Sequence, residues 1–391
     1  MPPTGKSLGL GRQHGGADAQ GLAPLDFSTN GNACGPCPQA LQAVQQADAR
    51  HYPDPHYTEL RAALAAWHGV PVQRLLLGAS GSELIHRIHV WARLHGLRTV
   101  AVPSPAYGDY AQQAQALGLN VRHVPHRPVQ DGPGPQQAAS VADLEWLCVP
   151  SSPLGAADAR LAHWMAQAGS PQAARRFLDA AYAPLMLLPD EWPDDELDDG
   201  APDALDAPGS DWPDWLTGVR LRQKACWQLF SPNKALGLTG VRAAYAIAPQ
   251  LANAAARQEL QAMLAQLDAL APSWPLGAHG VALLQAWMQA PVQQWLASSR
   301  AQLRDWKRAQ LALCRSLGWQ VLPGSLANYF VVRPGPPQAL GAWQQALRAQ
   351  GIKVRDTSSM GLPGHWRLSV QPPASQQALA RAWQALGAGG G

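Results

Sequence analysis

Leu229 to Ala246 reads LFSPNKALGLTGVRAAYA. Apolar runs of strand length flank it, ACWQLFSP before and RAAYAIAP after. Between them the loop holds Ser231, Lys234, Gly237, Gly240 and Arg242. Glycine allows a sharp loop and lets a ligand approach the backbone. Ser231 and Arg242 can both reach a phosphate, the arginine through a forked contact. Lys234 is a lone amine in an apolar, Gly-rich setting, suited to attack an aldehyde. The same spacing also fits a solvated surface lysine.

Two upstream elements narrow the choice. Asp179 closes the apolar run RRFLD, and Tyr182 follows in DAAY. A carboxylate at a buried strand end needs a cationic partner. The protonated ring nitrogen of pyridoxal phosphate is such a partner, and its phenolic oxygen needs a donor such as Tyr182. In GASGSELI, Gly78 to Ile85, a Gly/Ser loop leaves a strand and opens a helix. Its free backbone N–H groups can hold a phosphate, with Gly81 and Ser82 placed to do so. A lone Gly-rich loop is weak evidence, but three elements of one cofactor site in order are stronger.

Around these elements the chain alternates strand and helix patterns from residue 60 to 250. RLLLGAS, RTVAVPS, NVRHVPH, DLEWLCVPSS and ARRFLDAAYAPLM read as strands with helices between them. That alternation predicts a mainly parallel sheet covered on both faces, with ligands bound beyond the strand C-termini. Beyond 250 come two long helical stretches, QLANAAARQELQAMLAQLDALA and the segment from GVALLQAWMQ to LALCRSLG. They are followed by a short α+β pattern in which IKVRD and HWRLSVQ are each read as one strand. The predicted division is an arm over 1–45 that packs with the smaller domain, a large cofactor-binding domain over 46–250, and an interdomain helix with a small domain over 251–391. Leu188 to Trp215 holds eleven of the 27 acidic residues and no Lys or Arg, and is read as an irregular surface insertion.

The formal charge is +3, and basic residues do not cluster, which argues against nucleic acid and membrane partners. No stretch resembles a transmembrane span or a secretory signal, so a cytoplasmic location is expected. Five cysteines make neither a disulfide framework nor a zinc site, and no metal is expected. Cys34-Gly35-Pro36-Cys37 has the spacing of a dithiol redox centre, which keeps a thiol–disulfide oxidoreductase as a distant alternative.

From about His14 to Gln376 the sequence resembles the fold-type I pyridoxal-phosphate enzymes of the aminotransferase class I/II group. The resemblance implies an α/β large domain with a seven-stranded, mainly parallel sheet between helices, plus a smaller α+β domain. HYPDPHYTELRAALA resembles the segment whose tyrosine, here Tyr52, reaches the neighbouring subunit's cofactor phosphate, which implies a homodimer with shared active sites. PSPAYGDY resembles the segment whose last aromatic, Tyr110, stacks on the pyridine ring. SPNKALGLTGVR resembles the Schiff-base loop, with Ser231, Lys234 and Arg242 in place. In HWRLSV, Arg367 corresponds to the arginine that grips the substrate carboxylate. In GIKVRD, Arg355 corresponds to one that holds a substrate phosphate. The chain departs from the family in VPSSPLG, Val149 to Gly155, where Ser152 stands for the asparagine that bonds the phenolic oxygen.

The motifs do not decide between transamination and decarboxylation, because orientation selects which Cα bond the cofactor weakens. Two arginines suit a small phosphorylated amino acid or amine that also carries a carboxylate. The leader RQHGGADAQGLAPLDFSTNGN resembles that of the threonine-phosphate decarboxylases of cobalamin biosynthesis, with His14 over the substrate phosphate and Gly31 at the pocket. The sequence therefore favours decarboxylation of O-phospho-L-threonine to (R)-1-amino-2-propanol phosphate, with histidinol-phosphate aminotransferase as the alternative.

Overall fold

The computed structural model describes residues 14–126, 142–187 and 222–387. The acidic stretch 188–215 and the tail beyond 387 lie outside the described residues. Thirteen strands are described. β1 is Leu25–Asp26, β2 Leu75–Gly78, β3 Thr99–Ser104, β4 Asn120–Pro125 and β5 Leu144–Cys148. β6 is Arg176–Asp179, β7 Trp227–Phe230, β8 Ala244–Ile247, β9 Gln320–Val321 and β10 Tyr329–Arg333. β11 is Ile352–Lys353, β12 Arg355–Asp356 and β13 Trp366–Ser369.

β2, β8, β7, β6, β5, β3 and β4, in that spatial order, form a seven-stranded sheet. β7, β6, β5, β3 and β4 are parallel neighbours, while β8 pairs antiparallel with both β2 and β7. β2, β7 and β8 are buried at every position, because a sheet covered on both faces needs apolar side chains on both. Trp146, Phe177 and Trp227 are register neighbours on β5, β6 and β7, and their rings stack at 5.0 and 5.7 Å. Such aromatic pairs contribute about 0.5–1.5 kcal/mol each beyond the area they bury. They fix the strands that deliver Cys148, Asp179 and, one residue past β7, Ser231 to the cavity described below.

β12, β13, β10 and β9 form a four-stranded antiparallel sheet, and β1 pairs parallel with β11. IKVRD is therefore two strands rather than one. Val354 is buried between them, β11 carries the N-terminal arm, and β12 joins the other sheet. The segment after Gly280 also divides, into helices Ala278–Trp287 and Ala290–Ser316. Pro291, in the first turn of the second, cannot continue a helix begun upstream. β6 stops at Asp179, and the chain turns through a 3₁₀ segment at Ala183–Leu185 where the sequence had suggested further strand. Among the described residues no helix is long and apolar enough to cross a membrane.

Candidate active site

A cavity of about 460 Å³ opens at the C-terminal ends of β5, β6 and β7. Its floor is set by the ends of these strands. The Asp179 carboxylate accepts the Tyr110 hydroxyl at 2.7 Å and the Ala181 N–H at 2.9 Å. Burial, then the neighbouring Asp179 charge, push the Tyr110 hydroxyl well up, so it stays protonated and donates. Lys234 is half-buried just beyond β7, with Nζ 5.3 Å from the centre of the Tyr182 ring. Its loop is held from within, because Asn233 Nδ2 donates to the carbonyls of Thr239 and Val241, both at 3.2 Å. The N-terminal segment holds it from outside, with Asn32 N–H donating to Lys234 O and Cys37 N–H to Leu236 O, both at 2.9 Å. Gly237 has φ +66, and a Cβ there would stand 2.6 Å from the Gly35 carbonyl, so the close approach requires glycine.

The helix Gly81–Leu94 begins at the cavity wall, capped by Ser80, whose Oγ accepts the Glu83 N–H at 3.1 Å. Gly81 and Ser82 line the cavity, and a Cβ on Gly81 would lie 3.3 Å from Ser231 Oγ. Ser231 and Arg242, the latter exposed at the mouth, complete a set of donors around a helix N-terminus. That set suits a phosphate. An amine, a strand-end carboxylate and this phosphate cradle around one cavity fit pyridoxal phosphate.

The opposite wall comes from the antiparallel sheet. Arg355 on β12 and Arg367 on β13 are register partners and both are buried. Arg367 Nη1 donates to Ser152 Oγ at 3.1 Å and Nη2 to Ser28 O at 2.9 Å, while its buried Nε has no hydrogen-bond partner among the described residues. Arg355 Nη2 donates to Ser359 Oγ at 3.0 Å. Burial first, then the Arg367 charge, push Arg355 down to about 10. His14 and Gly15 also line the cavity, with the His14 ring 6.2 Å from that of Tyr107. Their arm is anchored at Asp18, which pairs with Lys353 at 2.8 Å and Arg348 at 3.0 Å. The hydrogen bond from Arg348, then that from Lys353, hold the Asp18 carboxyl well below the usual carboxylate range.

Lys234, Gly81, Ser82, Tyr110, Ser152, Asp179, Tyr182, Ser231, Arg242, Arg355, Arg367 and His14 thus border one cavity. Tyr52 and Gly31 do not. Tyr52 is 77% exposed and stacks on Trp274 at 4.3 Å, outside the cavity of its own chain. Gly31 turns its carbonyl to Asn328 Nδ2 at 3.0 Å, and Ser28, Thr29 and Asn30 take the wall instead. Tyr110 lines the cavity with its ring packed on Trp146 at 5.3 Å and its hydroxyl on Asp179. Tyr107, which the sequence reading missed, is a second, half-buried aromatic of the lining, with Ser82 and Asp109 on its hydroxyl at 3.0 and 2.9 Å. The Cys-Gly-Pro-Cys turn lies outside the cavity lining. Burial raises both thiols, Cys34 to about 11, opposite to what an attacking thiolate needs.

The aminotransferase class I and II family model matches residues 23–386. A histidinol-phosphate aminotransferase from Symbiobacterium thermophilum is 27% identical over 374 residues, covering 93% of this chain and 91% of the relative. A second from Caulobacter vibrioides is 28% identical over 362 residues, covering 90% and 84%. Two solved structures share the fold. The histidinol-phosphate aminotransferase from Sinorhizobium meliloti in complex with pyridoxal-5'-phosphate has a TM-score of 0.66 at 22% identity, covering 91% of this chain and 90% of that one. The L-threonine-O-3-phosphate decarboxylase from Porphyromonas gingivalis has a TM-score of 0.65 at 19% identity, covering 92% and 96%.

Proposed function

The chain belongs to the aminotransferase class I and II family, and from that premise we propose that it transfers an amino group between a phosphorylated amine of the histidinol phosphate type and a dicarboxylate such as glutamate. The observation that carries this reading is the register pair Arg355 and Arg367 facing the Lys234–Asp179 floor. A transaminase of this kind must hold a phosphate in one half-reaction and a second carboxylate in the other. Two adjacent guanidinium groups serve both anions with one set of donors. The names of the relatives matched along most of their length support the same choice. They reverse the order of preference drawn from the sequence alone.

Pyridoxal phosphate, the cofactor of this family, supplies an aldehyde and an electron sink when bound. Gly81, Ser82, Ser231 and Arg242 would hold its phosphate, Asp179 its ring nitrogen, and Tyr182 and Ser152 its phenolic oxygen. The Ser152 hydroxyl receives the Arg367 N–H and keeps its own hydrogen to donate. Lys234 Nζ carries the proton that leaves and returns during transfer. Arg367 orients the carboxylate, and Arg355 with His14 takes the more distant anion. The proposed assembly is a homodimer in which Tyr52 reaches the partner's cofactor phosphate.

A second reading, decarboxylation of O-phospho-L-threonine, draws on the His14 arm at the cavity, since that substrate carries phosphate and carboxylate at once. Purified protein is given glutamate with imidazole-acetol phosphate, and separately O-phospho-L-threonine without any keto acid. Histidinol phosphate formation is the expected result. Carbon dioxide release in the second vessel with no amino transfer in the first would reject the first reading for the second.

A further inference from the structure

We propose that His126 is a positioning residue for the cavity, acting as a doubly protonated strut. The ring is buried at the end of the β4 segment. Nδ1 lies 3.1 Å from Asp158 Oδ2, and Nε2 lies 2.8 Å from the Pro105 carbonyl oxygen. Asp158 is chelated in turn by Arg160, with Nε 3.0 Å from Oδ1 and Nη2 2.8 Å from Oδ2. Desolvation opposes the Asp158 charge, but the hydrogen bonds from His126 and Arg160 outweigh it and hold the carboxyl below its ordinary value. A carboxylate and a peptide carbonyl only accept hydrogen bonds. A neutral imidazole has one N–H, so in either tautomer its other nitrogen would present a lone pair to an oxygen. Both contacts are satisfied together only when each ring nitrogen carries a hydrogen. Among the described residues the charged groups at the ring are Asp158 and, behind it, Arg160, while Pro105 contributes only the dipole of its carbonyl.

The strut acts on one peptide unit. The Pro105 carbonyl is held by His126, and the N–H of the same unit, on Ala106, donates to Met360 O at 3.0 Å. Tyr107 is the next residue, and its ring lines the cavity. Met360 ends the turn Ser358–Met360, whose Ser359 hydroxyl accepts from Arg355. A single peptide plane therefore ties the aromatic wall to the anion-binding wall, and His126 fixes its orientation. Removal of the ring frees the Pro105 oxygen and loosens Tyr107 and the Arg355–Ser359 contact together. Substrate binding weakens, while Lys234 and Asp179, on other strand ends, stay in place.

The kinetic half of the test rests on the proposed aminotransfer, whereas the protonation half does not. Holoenzyme labelled with ¹⁵N-histidine is compared with His126→Gln, which lacks the signals of this ring; His126→Asn serves the same end if the first variant does not fold. Both His126 nitrogens are expected to show attached protons, and a single-proton tautomer would overturn the proposal. His126→Gln can donate to only one of the two acceptors, so its KM for the phosphorylated substrate should rise about tenfold, since small misplacements of positioning groups are costly, with kcat changed far less. Equal KM values for the variant and the parent at neutral pH would also overturn it. Absence of any amino transfer counts against the proposed function, and the ¹⁵N signals then decide for His126 alone.

Discussion

At one end of the cavity the Asp179 carboxylate has both oxygens occupied, by the Tyr110 hydroxyl and the Ala181 N–H. At the other end Arg355 and Arg367 face each other across β12 and β13 with like charges, and Arg367 Nε lacks a hydrogen-bond partner among the described residues. The cofactor end is braced from within, whereas the anion end is held under electrostatic tension. Like charges directly opposite in a strand pair are unfavourable, and an incoming anion relieves them. Changes at the first end should therefore damage every reaction the protein performs. Changes at the second should discriminate among substrates.

The sharpest way to break this contrast is Lys234→Ala. The variant should lose the visible absorbance of the bound cofactor and at least about 10²–10⁴-fold in kcat on every substrate, the range for a lost general acid–base group. Visible spectra and single-turnover assays read both. Retained absorbance would remove Lys234 from its assigned role.

Arg355→Met and Arg367→Met probe the other end, with smaller effects. Each removes charge-assisted hydrogen bonds worth about 1.5–3 kcal/mol, which corresponds to roughly 10–150-fold in KM. Arg355→Met should weaken the phosphorylated substrate most, and Arg367→Met should weaken glutamate most. Equal loss on both substrates for either variant would show that the two guanidinium groups act as one undivided anion site.

The contrast also explains what the sequence made legible. Lys234, Ser231 and Arg242 lie in one loop, Asp179 and Tyr182 in another, and Gly81 and Ser82 at one helix start, so local patterns carried their chemistry. The anion end is assembled across strands, and Arg355 and Arg367 were identified there only through resemblance. How Tyr110 sits in the lining depends on Trp146 and Asp179 from other strands, and no local spacing encodes that. IKVRD alternates smoothly as one strand, but its halves pair with β1 and β13, and pairing partners are not written in a segment's own pattern. The division before Pro291 went unread, although proline in the first turn of a helix is a local rule.

Behind both ends lies Lys307, whose Nζ donates to the carbonyls of Ser325 at 2.5 Å and Ala327 at 2.8 Å. Those residues belong to the loop whose Leu326 N–H donates to Gly155 O, one turn from Ser152. Burial pushes the Lys307 ammonium down to about 7, against about 10.4 in an unfolded chain. Between those values the unfolded chain holds a proton that the folded chain has released, so stability rises with pH across that window. Below about 7 both states are protonated and the folded state carries the full penalty of a buried charge. Lys307→Met should lose this rise. Thermal unfolding of the variant and the parent from pH 6 to 10 isolates it from other titrating groups. Parallel curves for the two proteins would reject it.

The smallest effect is expected at the Cys-Gly-Pro-Cys turn. Gly35 carries φ +93 and Gly237 approaches its carbonyl, so the turn shapes the outer side of the Lys234 loop through its backbone. The sulfur atoms contribute little to that contact. Among the described residues Cys34 Sγ reaches only the Ser299 carbonyl, at 3.6 Å, and burial keeps its thiol protonated at neutral pH. Cys34→Ser keeps a small donor in the same place and should leave kcat/KM within about twofold of the parent, as for substitutions away from any strained or buried network. Alkylation of the native protein tests the same point without a variant, since a thiol raised to about 11 should react slowly. Rapid modification of Cys34 with matching loss of activity would restore the redox reading and make the backbone account of this turn insufficient.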